Sequence, residues 1–255
     1  MNTGRIAVYT ALFGGYDRLQ EPTFDTAGTD FICFTDDVGL VSRRWQVVHV
    51  PLTGAPGMMN RHVKLHPHLY LPDYEISVYV DANLRVVRDP SELVDTYLAS
   101  HSFAAPRHHL RNCVYDEIRA CVDVRKADAG AAAAQTQRYR DIGYPAGNGL
   151  SENRVLLRRH RDPQVMALME AWWAELRAGV PRDQACLQVV CWRAGFELRF
   201  MAEDVVCGRH FVYQPHNHDG FVLRCKIHLV NFLKQVANRA QSLLAAVEQR
   251  GVASR

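Results

Sequence analysis

The sequence predicts an α/β fold with a mainly parallel central sheet, and two observations carry that prediction. Short apolar runs bounded by Gly, Pro and Asp alternate with segments of helical periodicity through the first half of the 255 residues. Asp36 and Asp81 each follow one of these runs, at the carboxyl ends of strands where open α/β sheets bind their ligands. We expect one large domain over 1–225, followed by an amphipathic helix and tail over 226–255.

Six apolar runs are the predicted strands. Each is short and rich in β-branched or aromatic residues, which fit the pleated interior of a buried sheet. These runs are 5–13, 30–36, 45–52, 75–84, 102–108 and 153–160.

Helical spacing of apolar residues predicts four helices between and after these strands. Pro67 should end or kink the first of them, because its ring clashes with the preceding turn. The Ala- and Gln-rich segment 127–139 could be a further helix or a loop, and its low complexity leaves both open. The four helices are 58–71, 89–100, 162–179 and 182–195.

The segment 226–250 has the apolar periodicity of an amphipathic helix. Packing of its apolar face against the domain, or against a second subunit in a homo-oligomer, is the first interpretation. Binding to a membrane surface is the alternative.

The charge and cysteine content narrow the class of protein. The 30 basic and 27 acidic residues are interspersed and give a formal charge of +3, so we expect no nucleic-acid partner. Seven cysteines, an odd number without a CxxC pair, favour a reducing compartment. The first residues lack the pattern of a cleavable leader, and no window has the roughly 18 apolar residues of a membrane span. We therefore expect a cytoplasmic protein, with a position at the inner face of a membrane left open.

Asp81 and Asn83 lie two residues apart at the end of the 75–84 run, so a continuing strand would point both side chains to one face. Carboxylate and amide oxygens suit Mg²⁺ or Mn²⁺, which leave other positions for substrate phosphates. Both residue types also favour turns, so a strand-ending turn is the competing interpretation.

Arg61, Lys64 and His68 are spaced three and four residues apart in the first predicted helix, which would align them along one face. Such a stripe suits a diphosphate, since Arg offers a fork of donors and Lys a point charge. A solvated basic surface is the alternative.

Three further features are ambiguous by themselves. Gly14 and Gly15 either let the backbone approach a ligand or make a tight turn. Asp183 lies where it could simply cap a helix. His216 and His218 belong to a histidine-rich loop without zinc-site spacing, which suits either metal binding or plain solvation.

Six blocks in one order give a more specific indication than any single motif. Together they resemble the DUF616 group, the TOD1/MUCI70-like glycosyltransferase domain family of bacterial and plant proteins. The resemblance runs from about residue 5 to residue 218 and leaves the C-terminal helix outside. The blocks are YTALFGGYD, DFICFTDD, MNRHVKLHPHLYLPDYEISVYVDANL, RNCVYDEI, GLSENRVLLRRH, and EAWWAEL with RDQ.

The resemblance implies a GT-A-like, Rossmann-like fold that binds a nucleotide sugar, similar to the glycogenin-like family eight. Its DxD-type motif would be Asp81 and Asn83, which would hold Mn²⁺ or Mg²⁺ with His216 or His218 as a further ligand. Asn83 stands where a second carboxylate is usual. The implied donor contacts are Tyr9, Thr10 and Asp36 to the nucleoside, Arg61 and Lys64 to the diphosphate, and Gly149 of the block 149–153 on the sugar and acceptor side.

Two carboxylates are implied as catalytic candidates. Asp183 of RDQ would lie near the transferred sugar, and Glu117 is a further acidic candidate. The expected function is transfer of a hexose from a nucleotide sugar, expected to be UDP-linked, to a glycan, polysaccharide or lipid-linked acceptor. A catalytically silent protein that binds nucleotide sugar or glycan is the alternative, which Asn83 favours. A sugar-phosphate nucleotidyltransferase is disfavoured, because its Gly-rich N-terminal loop is absent.

Overall fold

A seven-stranded mixed sheet forms the centre of the protein. The structure, a computed structural model, describes residues 5–24, 29–206, 208–234 and 236–237. Its strands are β1 (Ile6–Leu12), β2 (Thr29–Thr35), β3 (Gln46–His49), β4 (Ile76–Val80), β5 (Leu84–Val86), β6 (Phe103–Pro106), β7 (Val155–Arg158), β8 (Arg199–Met201) and β9 (Phe211–Tyr213). The order in the large sheet is β3-β2-β1-β4-β7-β6-β8, and β5 pairs with β9 separately.

Helices connect these strands and cover both faces of the sheet. They are α1 (Pro56–Leu65), α2 (Pro67–Tyr70), α3 (Ser91–Tyr97), α4 (Val114–Asp123), α5 (Ala129–Asp141), α6 (Pro163–Ala178) and α7 (Leu187–Ala194), with a 3₁₀ turn at Asp183–Ala185. A C-terminal helix is described over 221–234 and 236–237.

The sheet is mostly parallel, as the sequence predicts. Strand β1 pairs in parallel with β2 and β4, and β2 pairs in parallel with β3. Strand β7 runs antiparallel to its neighbours β4 and β6. Because β1, β2 and β4 run the same way, the loops that follow them open at one edge of the sheet, which is where α/β sheets bind ligands.

Both faces of the central strands are buried, which explains why they read as unbroken apolar runs. In β1, Tyr9 and Ala11 pack into a core that also includes residues of α1, α6 and α7. Their neighbours Val8 and Leu12 point the other way, into a core shared with α3. The alternation places a layer of helix on each side of the sheet.

Most predicted elements are confirmed, and Pro67 divides the first predicted helix as expected. It begins α2 directly after α1, and His66 N donates to His62 O at 3.0 Å where α1 ends. The open segment 127–139 is helical, since the Asp128 side chain caps α5 by accepting from Ala131 N at 2.8 Å.

Three differences from the sequence analysis concern short or interrupted elements. The predicted helix 182–195 is a 3₁₀ turn followed by α7. The 75–84 run is two strands, β4 and β5, separated by a turn. Strands β8 and β9 have no counterpart in the sequence analysis, because three-residue strands offer too little periodicity to identify. Helix α4 is also absent from the sequence analysis, although its ten residues are enough to show helical spacing.

The C-terminal helix begins at 221, five residues before the predicted start, and 238–250 of the predicted element lie outside the described residues. Of the two alternatives in the first interpretation, packing of the apolar face on the domain is wrong for the described part, and packing against a second subunit stays a prediction. Phe221, Leu229 and Phe232 remain 81%, 59% and 63% exposed. No helix within the described ranges is both long and apolar enough to cross a bilayer.

A buried glutamine in α5 fixes the segment that leads into the 3₁₀ turn. Gln135 is fully buried, its Oε1 accepts from Val180 N at 2.6 Å, and its Nε2 donates to Ala185 O at 3.0 Å. Trp172 Nε1 donates to Asp183 O at 3.0 Å. These bonds hold the backbone on both sides of Asp183, so buried hydrogen bonds fix the position from which its side chain extends.

Replacing Gln135 with Ala should lower the free energy of unfolding by about 2 kcal/mol or more, because Val180 N and Ala185 O would be left buried without partners. Urea unfolding followed by tryptophan fluorescence measures this loss. Gln137→Ala is the matched control, since Gln137 is exposed on the same helix, and it should stay within about 0.5 kcal/mol. Equal losses in the two variants would contradict the bonding role of Gln135.

Candidate functional site

Helix α1 is fastened to strand β1, and this sets the position of Lys64. Tyr9 OH donates to Lys64 O at 2.7 Å, and Asn60 Nδ2 donates to Ala11 O at 2.6 Å. Both bonds join the helix to the sheet near the carboxyl end of β1. The Lys64 side chain therefore enters the sheet edge from a rigid element.

Lys64 lies between two carboxylates at this edge. Its Nζ is 2.6 Å from Asp183 Oδ2 and 3.7 Å from Asp81 Oδ1, and only 6% of its side chain is exposed. Tyr79 OH donates to Asp81 Oδ1 at 2.9 Å, and Lys64 Nζ lies 4.8 Å from the centre of the Tyr79 ring. We call these four residues the Lys64 cluster.

The charge of Asp183 depends on its cationic neighbours. Burial alone would raise the pKa of this carboxyl, but the charges of Lys64 and Arg61 and the bond to Lys64 outweigh it and lower the pKa to about 2. Arg182 acts in the same direction. Asp183 is therefore ionised at neutral pH and is a weak base.

The predicted basic stripe is only partly present. Arg61 and Lys64 both act on Asp183, and Arg61 Nη1 donates to Gly57 O at 2.8 Å. His68 lies beyond the break at Pro67, in α2, where its Nε2 is 3.4 Å from Glu170 Oε1. Two of the three residues thus face the sheet edge, and His68 does not belong with them.

Asp81 and Asn83 lie in a turn, and Asp81 adjoins Lys64, so the turn interpretation is confirmed and metal binding by the pair stays a prediction. Leu84 N donates to Asp81 O at 2.8 Å, which closes a four-residue turn after β4. Asn83 Nδ2 donates to Gln214 O at 3.0 Å and lies 3.4 Å from His216 Nδ1. The turn therefore brings Asn83 to the histidine-rich loop, as the sequence analysis expects.

Asp17 is a site residue that the sequence analysis missed. His216 Nδ1 lies 2.9 Å from Asp17 Oδ1, and the two rings of His216 and His218 stack with centres 5.2 Å apart. Tyr16, which is 56% exposed, contacts both rings. Asp17 and Tyr16 follow Gly14 and Gly15 in the loop after β1, and a carboxylate two residues past that turn is the only signal the sequence offers.

A divalent cation is implied by the fold family, and the donors present suit one in kind. A carboxylate that accepts from His216 Nδ1 leaves Nε2 as the nitrogen that can bind a metal, the usual arrangement of a ligating imidazole. Asp81, one-third exposed, and Asn83 offer a carboxylate and an amide oxygen. Within the described ranges no three His, Cys, Asp or Glu side chains form a complete cluster, so such a site would need Asn83 and substrate oxygens.

Asp36 braces the edge of the sheet. Its Oδ1 and Oδ2 accept from Gly14 N at 3.0 and 3.2 Å, which ties the loop after β2 to the loop after β1. Gly14 has φ +65°, and a Cβ there would lie 2.7 Å from Pro56 Cβ, so the turn requires glycine. The tight-turn interpretation is correct for this pair of loops.

The expectation that Tyr9 and Thr10 face a nucleoside is wrong as the structure has them. Both are fully buried within β1, and the Tyr9 hydroxyl is engaged by Lys64 O and by the Arg158 guanidinium. Burial raises the pKa of Tyr9 to about 12, although Arg158 opposes the shift. Tyr9 therefore supports Lys64 from inside the core.

Glu117 belongs to a different charge group from the Lys64 cluster. Its Oε2 accepts from Arg111 Nε at 2.6 Å and lies 3.9 Å from His108 Nε2. Burial lowers the pKa of His108 to about 4, although Glu117 acts against that shift. This carboxylate is neutralised by its own partner, so a structural role fits it better than a catalytic one.

The 149–153 block contributes a second carboxyl that the sequence analysis did not single out. Glu152 is 2% exposed, and burial raises its pKa even though Arg154 Nε lies 3.2 Å away. The charges of Asp81 and Asp183 also raise it. Gly149 has φ +87°, and a Cβ there would lie 3.1 Å from the Phe200 ring, so this position requires glycine. The contact of Gly149 with a sugar stays a prediction.

A sequence profile described as "TOD1/MUCI70, glycosyltransferase-like domain" matches residues 36–218, well over half of the chain. The chain belongs to this family. The match includes Asp36, Asp81 and Asp183 and ends at His218. It begins later than the resemblance noted in the sequence, which starts in β1.

The chain is similar to a curated relative and to solved structures of glycosyltransferases. "Probable hexosyltransferase MUCI70" of Arabidopsis thaliana is 26% identical over 214 residues, which cover 72% of this chain and 37% of that protein. The structure described as the WbbM bifunctional glycosyltransferase in apo form has a TM-score of 0.50 and 10% identity, over 92% of this chain and 45% of that one. Mouse xyloside xylosyltransferase 1 has a TM-score of 0.45 and 10% identity, over 77% and 84% of the two chains. This chain thus spans less than half of the first two.

Lowering the pH should remove the stabilisation that the ionised Asp183 supplies. Its pKa in the folded state is about 2, below the roughly 3.9 of an unfolded Asp, so this contribution is present above pH 4 and is lost as the pH falls toward 2. Lys64→Met should cost about 3 kcal/mol at neutral pH, because it leaves a buried carboxylate without its closest cation. It should also weaken or reverse the loss with acid, because without Lys64 burial raises the pKa of Asp183, and its protonation then relieves an unpaired buried charge in the folded state.

Urea unfolding across a pH series measures both effects. Lys126→Met is the matched control, because Lys126 is exposed at the end of α4, and its unfolding should match that of the native protein at every pH. The same neutral-pH midpoint for Lys64→Met and Lys126→Met would contradict a buried ion pair at Lys64.

Proposed function

We propose that this protein is a glycosyltransferase that moves a hexose from a nucleoside diphosphate donor, expected to be UDP-linked, to a glycan, polysaccharide or lipid-linked acceptor. Membership of the glycosyltransferase-like family supports the class of reaction. The relative named as a probable hexosyltransferase supports the type of sugar.

One observation carries the proposal, which is the buried Lys64 held between Asp183 and Asp81. Transfer breaks the bond between sugar C1 and the diphosphate, which builds negative charge on the leaving group and positive charge on the sugar. A site for this reaction needs cations and carboxylates in fixed positions within a few ångström of each other. The Lys64 cluster has both, on the sheet edge where α/β folds bind nucleotides.

In this proposal the cations receive the leaving group. Lys64 and Arg61 contact the diphosphate oxygens and stabilise the charge that develops there. Their positions on one helix, one turn apart, suit two neighbouring phosphates. A diphosphate that draws Lys64 away from Asp183 would also free that carboxylate toward the sugar.

Asp183 acts by its charge. With a pKa of about 2 it is a poor base for an acceptor hydroxyl, whereas an ionised carboxylate beside C1 stabilises an oxocarbenium-like sugar. This separates two roles that the sequence leaves open and favours the electrostatic one.

A divalent cation, held by Asp81, Asn83 and the Nε2 of His216, would supply Lewis-acid stabilisation of the departing diphosphate. Asp17 fixes the His216 ring by accepting from Nδ1. Tyr16 presents an exposed ring beside these residues and could stack on the nucleoside base, the contact that Tyr9 cannot make.

Asp183→Asn and Asp81→Asn should each reduce transfer on the order of a hundredfold or more, because each removes a charge that the transition state requires. The assay is release of UDP from UDP-glucose, UDP-galactose and UDP-xylose, with water or added oligosaccharide as acceptor. Asp123→Asn, on the exposed end of α4, is the control and should keep the native rate.

Two results would count against this assignment. A near-native rate in either site variant would exclude that residue from the reaction. A native protein that binds the donors tightly yet releases no UDP would instead identify the silent binding protein.

UDP should raise the melting temperature of the native protein, and Mn²⁺ should increase the shift, because a ligand that binds only the folded state stabilises it by mass action. Asp81→Asn should lose the increment due to Mn²⁺. Asp17→Asn should lower the apparent affinity for Mn²⁺ by roughly 10- to 100-fold while keeping the response to UDP alone. A thermal-shift titration measures each of these.

His216→Ala and His218→Ala identify which histidine binds the metal, and we expect the loss in His216→Ala. His228→Ala is the control, since His228 is exposed on the C-terminal helix. An unchanged Mn²⁺ response in Asp81→Asn, Asp17→Asn and His216→Ala together would contradict the cation site.

A further inference from the structure

The C-terminal helix (221–234 and 236–237) is amphipathic, but its apolar face is turned to solvent and not to the domain. The apolar side chains that are usually buried face solvent: Phe221 is 81% exposed, Val222 66%, Leu229 59% and Phe232 63%. Cys225, Leu233 and Val236 continue the same face and are also exposed. At 100° per residue these seven side chains fall within one arc of roughly 120°, the width of a hydrophobic face that normally packs against a protein core.

Polar contacts attach the opposite side of this helix to the domain. Asn231 is 5% exposed, and its Nδ2 donates to Tyr213 O at 2.6 Å. Lys234 Nζ lies 2.9 Å from Asp204 Oδ2. The helix is therefore fastened to the domain by Asn231 and Lys234, with the half-buried Ile227 on the same side, which directs the apolar arc outward.

The charges beside the apolar arc have one sign. Between Asp219 and Glu248 the sequence has no acidic residue, whereas the helix carries Arg224, Lys226 and Lys234. Arg224 and Lys226 are exposed and lie on opposite flanks of the arc. An exposed apolar face of this size marks an interaction surface, and its cationic borders require a partner that is apolar and negatively charged.

We propose that this helix docks the protein onto the surface of an anionic lipid bilayer. The apolar arc would enter the boundary between headgroups and acyl chains, while Arg224 and Lys226 would contact lipid phosphates. A second copy of the chain fits less well, since two such helices would bring equal positive charges together without an acid to pair them. The described part of the helix is not long and apolar enough to span the bilayer.

The attachment point places this surface beside the candidate site. Tyr213, which accepts from Asn231, ends β9, and β9 pairs with β5 directly after Asn83. The next residue, Gln214, accepts from the Asn83 amide. A bilayer held by the helix would therefore adjoin the loops that carry Asn83 and His216, where a lipid-linked acceptor could reach them. The docking itself does not depend on the proposed transfer reaction.

Co-sedimentation with vesicles tests the proposal. The full chain should bind vesicles of phosphatidylcholine mixed with phosphatidylglycerol, and added salt should weaken the binding. The double variant Leu229→Asp with Phe232→Asp should reduce the partition coefficient at least tenfold, because it places charge within the apolar arc. Arg224→Gln with Lys226→Gln should reduce it roughly tenfold or more on these vesicles.

Val38→Asp with Val41→Asp is the matched control, because these side chains are 86% and 87% exposed on the loop between β2 and β3. It adds the same charge and should bind vesicles like the native chain. The thermal shift with UDP, measured for every variant, reports whether the domain is intact and whether donor binding is separate from docking.

Two results would overturn the proposal. If the native chain bound pure phosphatidylcholine vesicles as tightly as the vesicles that contain phosphatidylglycerol, Arg224 and Lys226 would not be recognising anionic lipid. Absence of vesicle binding, together with a concentration-dependent dimer in sedimentation velocity that Leu229→Asp with Phe232→Asp abolishes, would show that a second copy covers the helix.

Discussion

The ion pair between Lys64 and Asp183 is the interaction on which the rest of this site depends. It places a cation and a carboxylate out of water at the edge of the sheet, where neither would be stable alone. Asp81, in the turn after β4, completes the arrangement with Oδ1 3.7 Å from Lys64 Nζ. A buried pair of this kind is expensive for folding, so its presence at a ligand-binding edge points to a function that uses both charges.

Much of the surrounding structure serves to hold this pair. Tyr9 fastens the helix that carries Lys64, and Gln135 and Trp172 fasten the segment that carries Asp183. These three residues lie in the core, where Tyr9 bonds to the backbone of Lys64, Trp172 bonds to the backbone of Asp183, and Gln135 holds the backbone on either side of Asp183. Their polar atoms are directed at backbone groups, which gives each buried hydrogen-bonding group a structural purpose.

The sequence predicts the sheet, its mostly parallel order and the edge that carries the site, because apolar periodicity and strand-ending polar residues are local signals. The prediction that Lys64, Asp81 and Asp183 share a site came from the family resemblance. These residues are too far apart in the sequence for local patterns to bring them together. Tyr9 was misplaced because a strand motif does not tell which of its side chains is covered by a helix. Asp17 was missed because its partner, His216, is 199 residues away.

The C-terminal helix shows a different limit of sequence reasoning. Its periodicity correctly predicts two faces, but periodicity alone cannot say which face meets the domain. Asn231 decides this in the structure, since its amide finds a backbone partner in Tyr213 and draws the polar side inward. Together with the contact between Lys234 and Asp204, this bond leaves the apolar arc of the helix exposed.

A cavity of about 710 Å³ is lined by Tyr115, Arg119, Arg140 and Tyr144 and is the alternative place for a nucleotide. It shares no residue with the Lys64 cluster, so a bound nucleotide would distinguish the two sites. A crystal structure of the protein with UDP and Mn²⁺ therefore tests the central claim most directly. We expect the diphosphate within hydrogen-bond distance of Lys64, and the metal beside Asp81. A diphosphate bound in the Tyr115 cavity, with the Lys64 to Asp183 pair undisturbed, would contradict the account.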